Sequence, residues 1–426
     1  MSSFSSIDAM ISKVKERFGA EHKISVMFEN CISNTLNTTI HRDEQGRIFV
    51  ITGDIPAMWL RDSSCQLRPF LLFAREEPAI RDIIVGLLQR QMECILIDPY
   101  ANAFNESANG NGFQDDDTQM KPELWERKYE IDSLCFPFLL SWQLWKNAGC
   151  TTQFDENWYL AAHTVLNLFH TEQYHEEKSP YRFQRHNCVY TDTLSRDGKG
   201  ALVKSGTGLI WSGFRPSDDA CTYGYLLPSN MLASVVLTDM TEIAAKIYHD
   251  DAFAGQLRAL ASDVKEAIDK YALVPGHKKE FYAYEVDGYG QYHIMDDANI
   301  PGLLSMPYYG YCTPDDTRYL NTRDVILSDW NPYYYSGKVL HGIGSPHTAP
   351  GCVWMMALCI QGLTSQSEEE KQQILDMLCN GDAGTNLMHE SVNANDSYDY
   401  TRPWFSWANS VFCEFIMQII GYSVII

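Results

Sequence analysis

The feature that most constrains the fold is a rhythm. Stretches with 3.6-type apolar spacing recur along the chain, and a long loop rich in Gly, Pro, Asp, Tyr and Trp follows every second one. The spacing predicts two helices within 5–36, then helices at about 63–75, 79–98, 129–147, 155–172, 228–248 and 252–271. It predicts more at 300–306, 316–328, 350–363, 367–380 and 403–421. Only 38–50, 181–190 and 281–294 read as extended. About a dozen helices joined alternately by short and long connections are what a closed ring of helical hairpins needs. The expected class is therefore all-α, an (α/α)6 barrel whose inner helices are apolar on nearly all sides and whose long loops gather at one mouth. The segments 135–144 and 353–360 fit inner helices. A superhelical array is the alternative packing, but it calls for an internal repeat, and the sequence has none. One catalytic domain spanning 1–426 is expected.

Composition narrows the function classes. The 426 residues are 45% hydrophobic and 12% aromatic, ample for a large core. The formal net charge is −22, and no run of Lys or Arg is long enough to track phosphates, so nucleic acid is not an expected partner. No apolar stretch reaches the roughly 18 residues of a membrane span. The first residues have neither a basic start nor an apolar core, so they do not read as a secretion signal. The 12 cysteines are scattered through apolar segments without a CxxC pair. They read as reduced core residues of a cytoplasmic protein.

Five loop stretches carry the chemistry. Residues 50–70 place Asp54, Trp59, Arg61 and Asp62 within ten residues, in a run broken by Gly53 and Pro56. It reads as a loop whose Asp62-Ser-Ser64 caps the following helix. A Trp face can stack on a sugar's C–H face, while carboxylate and guanidinium take its hydroxyls. The plainer reading is an Arg–Asp pair that steadies the loop. Residues 205–230 hold Arg215, Asp218 and Asp219 beside Trp211 and Phe214. Adjacent carboxylates point different ways, so one can enter a site while its neighbour pairs with Arg. An Asp in a partly dry aromatic pocket is held protonated, as a general acid must be. Residues 293–301 offer Asp296, Asp297 and Asn299 ahead of a helix expected at Pro301, as caps or as ligand contacts. Residues 341–351 offer His347 in a tight loop, and 386–407 offer Glu390, Arg402, Trp404 and Trp407.

Other chemistries fit less well. Asp115–Asp117 lacks the spaced ligands of a calcium loop, and no Cys/His cluster accompanies His341 and His347. Gly206-Thr-Gly208 lacks a nucleotide loop's third glycine, and no Gly-x-Ser-x-Gly elbow occurs. No metal and no cofactor are expected. Two carboxylates on separate loops among aromatic platforms are the parts of a glycoside hydrolase.

Taken together, Thr52-Gly-Asp-Ile-Pro-Ala-Met-Trp-Leu-Arg-Asp62, Gly213-Phe-Arg-Pro-Ser-Asp-Asp219, Asp296-Asp-Ala-Asn-Ile-Pro301, Gly344-Ser-Pro-His347 and His389-Glu390 resemble glycoside hydrolase family 125. These are metal-independent exo-α-1,6-mannosidases on an (α/α)6 barrel, and the resemblance runs over nearly the whole chain. It implies a terminal α-1,6-linked mannose of an oligosaccharide or N-glycan as substrate, and inversion at the anomeric carbon. It further implies Asp218 as general acid, with its neighbour Asp219 as the alternative, and Glu390 as general base. Asp54, Trp59, Arg61, Asp62, Asp297, His347 and Trp404 follow as sugar contacts. Inversion needs room for a water, so the two carboxyls are expected roughly 6.5–9.5 Å apart. Another inverting glycosidase of this barrel, such as an α-glucosidase, and a catalytically silent carbohydrate-binding protein are the competing readings. The sequence carries no marker of oligomeric state.

Overall fold

The computed structural model describes residues 4–44 and 46–426. Twelve longer helices carry the architecture: α1 (Ser5–Phe18), α2 (Lys23–Thr38), α3 (Leu60–Leu67), α4 (Pro78–Ile97), α5 (Ile131–Ala148), α6 (Glu156–Glu172), α7 (Leu227–Lys246), α8 (Asp251–Tyr271), α9 (Thr317–Ile326), α10 (Met355–Leu363), α11 (Glu368–Gly381) and α12 (Ser406–Ile419).

They form two concentric rings. In the inner ring α3 packs on α5, α5 on α7, α10 on α12, and α12 back on α3. The position between α7 and α10 is filled by the turn-rich segment 302–309 rather than a helix. Its Tyr309 hydroxyl reaches Pro228 O at 3.4 Å, its Tyr308 hydroxyl reaches Glu414 at 2.9 Å, and its Leu304 and Ser305 face Ala357 and Ile360. The outer ring is α4, α6, α8, α9, α11 and α2, with α1 beside α2 and α9 tied to α11 by Arg323 and Glu370 (2.6 Å). Helix α2 packs on α12, so the first and last parts of the chain close the ring. This is the (α/α)6 barrel. Inner helices are buried almost all round: every residue of α10 from Met355 to Gly362, and of α12 from Ser406 to Met417. A helix apolar on all sides is stable only where neighbours cover all sides.

Short antiparallel strands stand at the mouth and feed the inner ring. Met58–Trp59 runs into α3, Tyr225–Leu226 into α7, and Cys352–Trp354 into α10, each as a member of a three-stranded sheet. Among the described residues no helix is long and apolar enough to cross a membrane.

Several expected boundaries move. The helix expected from about 63 starts at Leu60, and Trp59 rather than Asp62 occupies its cap position. Ser63 and Ser64 do not cap it. Their hydroxyls donate back to Trp59 O (2.6 Å) and Leu60 O (2.8 Å). Pro69 then turns the chain into a short 3-10 stretch, Arg68–Leu72. The helix expected at 300–306 is absent. Asp296 accepts from the backbone N–H of Leu303 (2.7 Å) and Leu304 (2.9 Å), and Ser305 takes that of Gly302 (2.8 Å), which ties the segment into turns. The helix expected from 350 begins as a strand and turns helical only at Met355.

Candidate active site

The loop 214–220 is a braced turn. Phe214 bridges Ala220, Arg215 N donates to Asp219 O (2.8 Å), and Asp218 N donates to Arg215 O (2.9 Å). Asp218 sits at φ +67°, a left-handed conformation that few non-glycine residues occupy. The turn is anchored from below. Arg215 does not pair with Asp218 or Asp219, as the sequence implied, but with buried Glu285 (2.6 Å). The other oxygen of Glu285 accepts the N–H groups of Thr222 and Tyr223, both at 3.0 Å.

Arg61 is a hub. It is 2% exposed and meets carboxylates on every side: Glu130 (2.6 Å) and Asp132 (2.8 Å) from one amino group, Asp62 (3.5 Å) at Nε, and Asp218 (3.6 Å) from the other amino group. Asp132 also accepts from Ser229 (3.1 Å), and Glu130 from Ser133 (2.6 Å). The plainer sequence reading, an Arg–carboxylate pair, thus holds on a larger scale than one loop. Lys128 adds a second buried cation. It bonds Asp192 (2.5 Å) and the backbone oxygen of Asp218 (2.8 Å).

These charges sort the carboxyls. Burial pushes the Asp62 carboxyl up to about 6, against the pull of Arg61. Asp218 goes the other way. Burial opposes its charge, but Lys128 and Arg61 outweigh it and pull the carboxyl down to about 2. These two cations thus work against the protonation that a dry aromatic pocket would favour at Asp218. Burial raises Glu130 well above the usual carboxylate range, with the neighbouring Asp218 charge adding to it. For His347, burial disfavours the cation, but Asp219, at 3.2 Å from Nδ1, and the further charges of Asp218 and Glu390 raise the imidazole to about 9. The shift favours the imidazolium form. Glu390 accepts from the Thr401 hydroxyl (3.0 Å) and lies 3.5 Å from Arg402.

Two cavities meet here. The inner one, about 190 Å³, is walled by Trp59, Arg61, Asp62, Glu390, Arg402 and Trp407 among others. The outer one, about 590 Å³, is walled by Phe113, Trp125, Lys128, Arg185, Tyr190 and Asp219 among others. Ile55, Trp59, Asp218 and His347 line both, so Asp218 is the one carboxylate at the junction. Among the described residues, Trp59 Nε1, Arg61 Nε, Asp62 Oδ2, Asp219 Oδ2 and Trp407 Nε1 are buried without a hydrogen-bond partner. Orphaned polar atoms around a cavity match a ligand covered in hydroxyls.

Of the residues expected at the site, Trp59, Arg61, Asp62, Asp218, His347 and Glu390 share the inner cavity, and Asp219 faces the outer one. Three do not line either. Asp54 pairs with Arg402 (3.0 Å). Asp297 accepts from Ser217 (2.8 Å) behind the wall. Trp404 donates its indole N–H to Asn34 (3.1 Å). Its carbonyl oxygen packs so closely on Gly53 (φ +132°) that a Cβ there would lie 2.5 Å away. Lys128, Glu130 and Asp132 were not anticipated. Charged residues directly before the apolar run of α5 were the available signal. The Asp115–Asp117 loop is held by protein groups, with Asp116 on Arg185 (2.6 Å) and Asp117 bridging Gln184.

Residues 21–417 match the family model described as metal-independent α-mannosidase, glycoside hydrolase family 125. A protein of Schizosaccharomyces pombe, the meiotically up-regulated gene 157 protein, is 40% identical over 97% of this chain and 86% of its own. A solved α-mannosidase of Streptococcus pneumoniae, in a non-productive complex with α-1,6-mannobiose, is 45% identical. It superposes with a TM-score of 0.96 over 98% of this chain and 99% of that one. A glucoamylase of Saccharomycopsis fibuligera shares the fold alone, with a TM-score of 0.55 and 10% identity over 98% of this chain and 96% of its own. Braced turn, charged hub and paired cavities thus sit on a chain that belongs to glycoside hydrolase family 125, the metal-independent α-mannosidases.

Proposed function

We propose that the protein is an inverting exo-α-1,6-mannosidase, with Asp218 as general acid and Glu390 as general base. The observation that carries the reading is the placement of these two carboxylates against the cavities. Asp218 stands at the junction, where the bond between a terminal sugar and the rest of the chain would lie. Glu390 faces the inner cavity only, where it can reach a water behind that sugar. Asp219, bound to His347 and turned to the outer cavity, fits the acid role less well. The linkage follows the pneumococcal relative and its α-1,6-mannobiose.

A terminal mannose in the inner cavity would offer its hydroxyls to the unpartnered atoms of Trp59, Asp62 and Trp407. The remaining oligosaccharide would run through the outer cavity, along Trp125, Phe113 and Tyr190. Asp218 gives its proton to the glycosidic oxygen as the C–O bond breaks. Water attacks the anomeric carbon from the opposite face and loses its proton to Glu390, so the product is β-mannose. The imidazolium of His347 at the junction favours the developing negative charge on the leaving oxygen. Twelve free thiols, most of them buried, support a reducing, cytoplasmic setting.

The test is incubation with α-1,2-, α-1,3- and α-1,6-mannobiose in the presence of EDTA. Release of mannose from the α-1,6 isomer alone is expected. Equal cleavage of all three, or none of any, contradicts the reading.

A further inference from the structure

The acid site holds more carboxylates than its cations can balance. Asp62, Glu130, Asp132 and Asp218 surround the single guanidinium of Arg61; the first three are buried, and Asp218 is partly exposed at the junction of the cavities. The further cations nearby are shared with other carboxylates: Lys128 with Glu126 (3.4 Å) and Asp192 (2.5 Å), His347 with Asp219 (3.2 Å), and Arg402 with Asp54 and Glu390. Four like charges cannot all stay ionised in so dry a space, so at least one carboxyl keeps its proton.

The hydrogen bonds say which one. Oε2 of Glu130 accepts from Arg61 (2.6 Å) and from Ser133 (2.6 Å). Oε1 of Glu130 is buried, and no donor reaches it among the described residues. A buried carboxyl oxygen without a donor is satisfied when it carries the hydrogen itself. The acceptor in reach is Asp218, whose carboxyl lies against the same Arg61 guanidinium as that of Glu130 and acts directly on it. Asp218 in turn accepts from Asn102 (3.2 Å) and faces Arg61 and His347. Asp132 lacks this orphan oxygen, because Arg61 and Ser229 occupy its two oxygens, and the unbonded Oδ2 of Asp62 differs from Glu130 Oε1 in facing Arg61 Nε at 3.5 Å.

We propose that Glu130 is the proton-holding partner of Asp218, a positioning residue that keeps one proton on the pair and passes it across when the glycosidic oxygen leaves. The proposal rests on the reading of Asp218 as general acid. The protons balance. The O–H bond of Glu130 breaks as that of Asp218 forms, and the O–H bond of Asp218 breaks as that of the leaving sugar forms. The pair then regains its proton from solvent while Glu390 returns to solvent the one it took from water. In this arrangement the two carboxyls titrate as a unit, and the enzyme loses its acid only when the pair loses its last proton.

The test compares α-1,6-mannobiose, whose leaving group needs a proton, with 2,4-dinitrophenyl α-mannoside, whose leaving group does not. In the unaltered enzyme the alkaline limb for mannobiose is expected above about pH 6, and the aryl glycoside is expected to lack it. A limb below about pH 5, as for Asp218 alone beside two cations, overturns the proposal without any variant. In Glu130→Gln the mannobiose limb is expected to move down by at least about one pH unit. The pH 7 rate is expected to fall roughly 10²-fold, against at most about a tenth of that loss on the aryl glycoside. Glu130→Asp, which restores a carboxyl, is expected to lie between the two. Equal losses on both substrates, or an unmoved limb in a folded variant, overturn it. Failure of the underlying reading looks different: the unaltered enzyme would cleave neither substrate, or Asp218→Asn would lose both equally.

Discussion

The two rings of the barrel end their helices differently. Outer helices are closed by side chains at their N-termini: Asp155 on α6, Asp250 on α8, Asp316 on α9 and Ser367 on α11 each accept a backbone N–H at 2.9–3.2 Å. Outer helix α4 is an exception, starting at Pro78 without such a bond. Inner helices are not closed this way. Trp59, Glu130, Leu226, Trp354 and Phe405 occupy the cap positions of α3, α5, α7, α10 and α12, and none caps with its side chain. Outer ends are thus finished for stability. Inner ends open on the mouth, where the positive end of the helix favours anions. Asp62 and Asp132 sit in the first turns of α3 and α5. The difference teaches where this fold keeps its polar side chains free for chemistry.

The contrast can be broken from either ring. Asp218→Asn or Glu390→Gln should lower kcat on α-1,6-mannobiose by roughly 10²–10⁴-fold with an unchanged melting temperature. A variant that keeps wild-type turnover would remove its residue from the mechanism. Arg61→Met should cost about 3–5 kcal/mol in urea unfolding, because it strands Asp132 as a buried charge and takes a donor from Glu130. A loss under about 1 kcal/mol would show that the hub is not a charge hub.

Asp62→Asn sharpens the point. The Asp62 carboxyl is raised to about 6 in the fold, so the unfolded chain ionises it first. Below about pH 4 it is protonated in both states and costs nothing. Between about pH 4 and 6 the cost of its buried charge builds, and above that it is constant. The variant should therefore be more stable than the parent at pH 7, by up to about 3 kcal/mol, and no more stable at pH 4, while losing mannose binding. A larger gain at pH 4 would reverse the sign. The smallest effect belongs to the outer ring. Asp155→Ala should cost about 1 kcal/mol of stability and leave kcat untouched.

Much of the barrel was legible because helical periodicity survives wherever a face is buried. The exceptions are instructive. The run 300–306 looks helical, but Asp296 captures its backbone N–H groups from seven and eight residues away, a contact no local pattern carries. Asp62-Ser-Ser64 looks like a cap, but the chain has already entered the helix at Leu60. In the site, residues in compact polar motifs stood out: Trp59 and Asp62, the Asp218–Asp219 pair, and Glu390. Asp54, Asp297 and Trp404 belong to the same motifs yet brace the wall from behind, since spacing does not say which way a side chain faces. Lys128, Glu130 and Asp132 escaped notice. Each is an ordinary charged residue in sequence, and only the ring brings them to Arg61 and Asp218.

The central claim is that Asp218 and Glu390 act from opposite sides of one sugar, with a water between sugar and base. Proton NMR of the mannose released from α-1,6-mannobiose in the first minutes tests it most directly. The account predicts β-mannose first, followed by slow mutarotation. Early α-mannose would place the second carboxylate against the sugar as a nucleophile and contradict it.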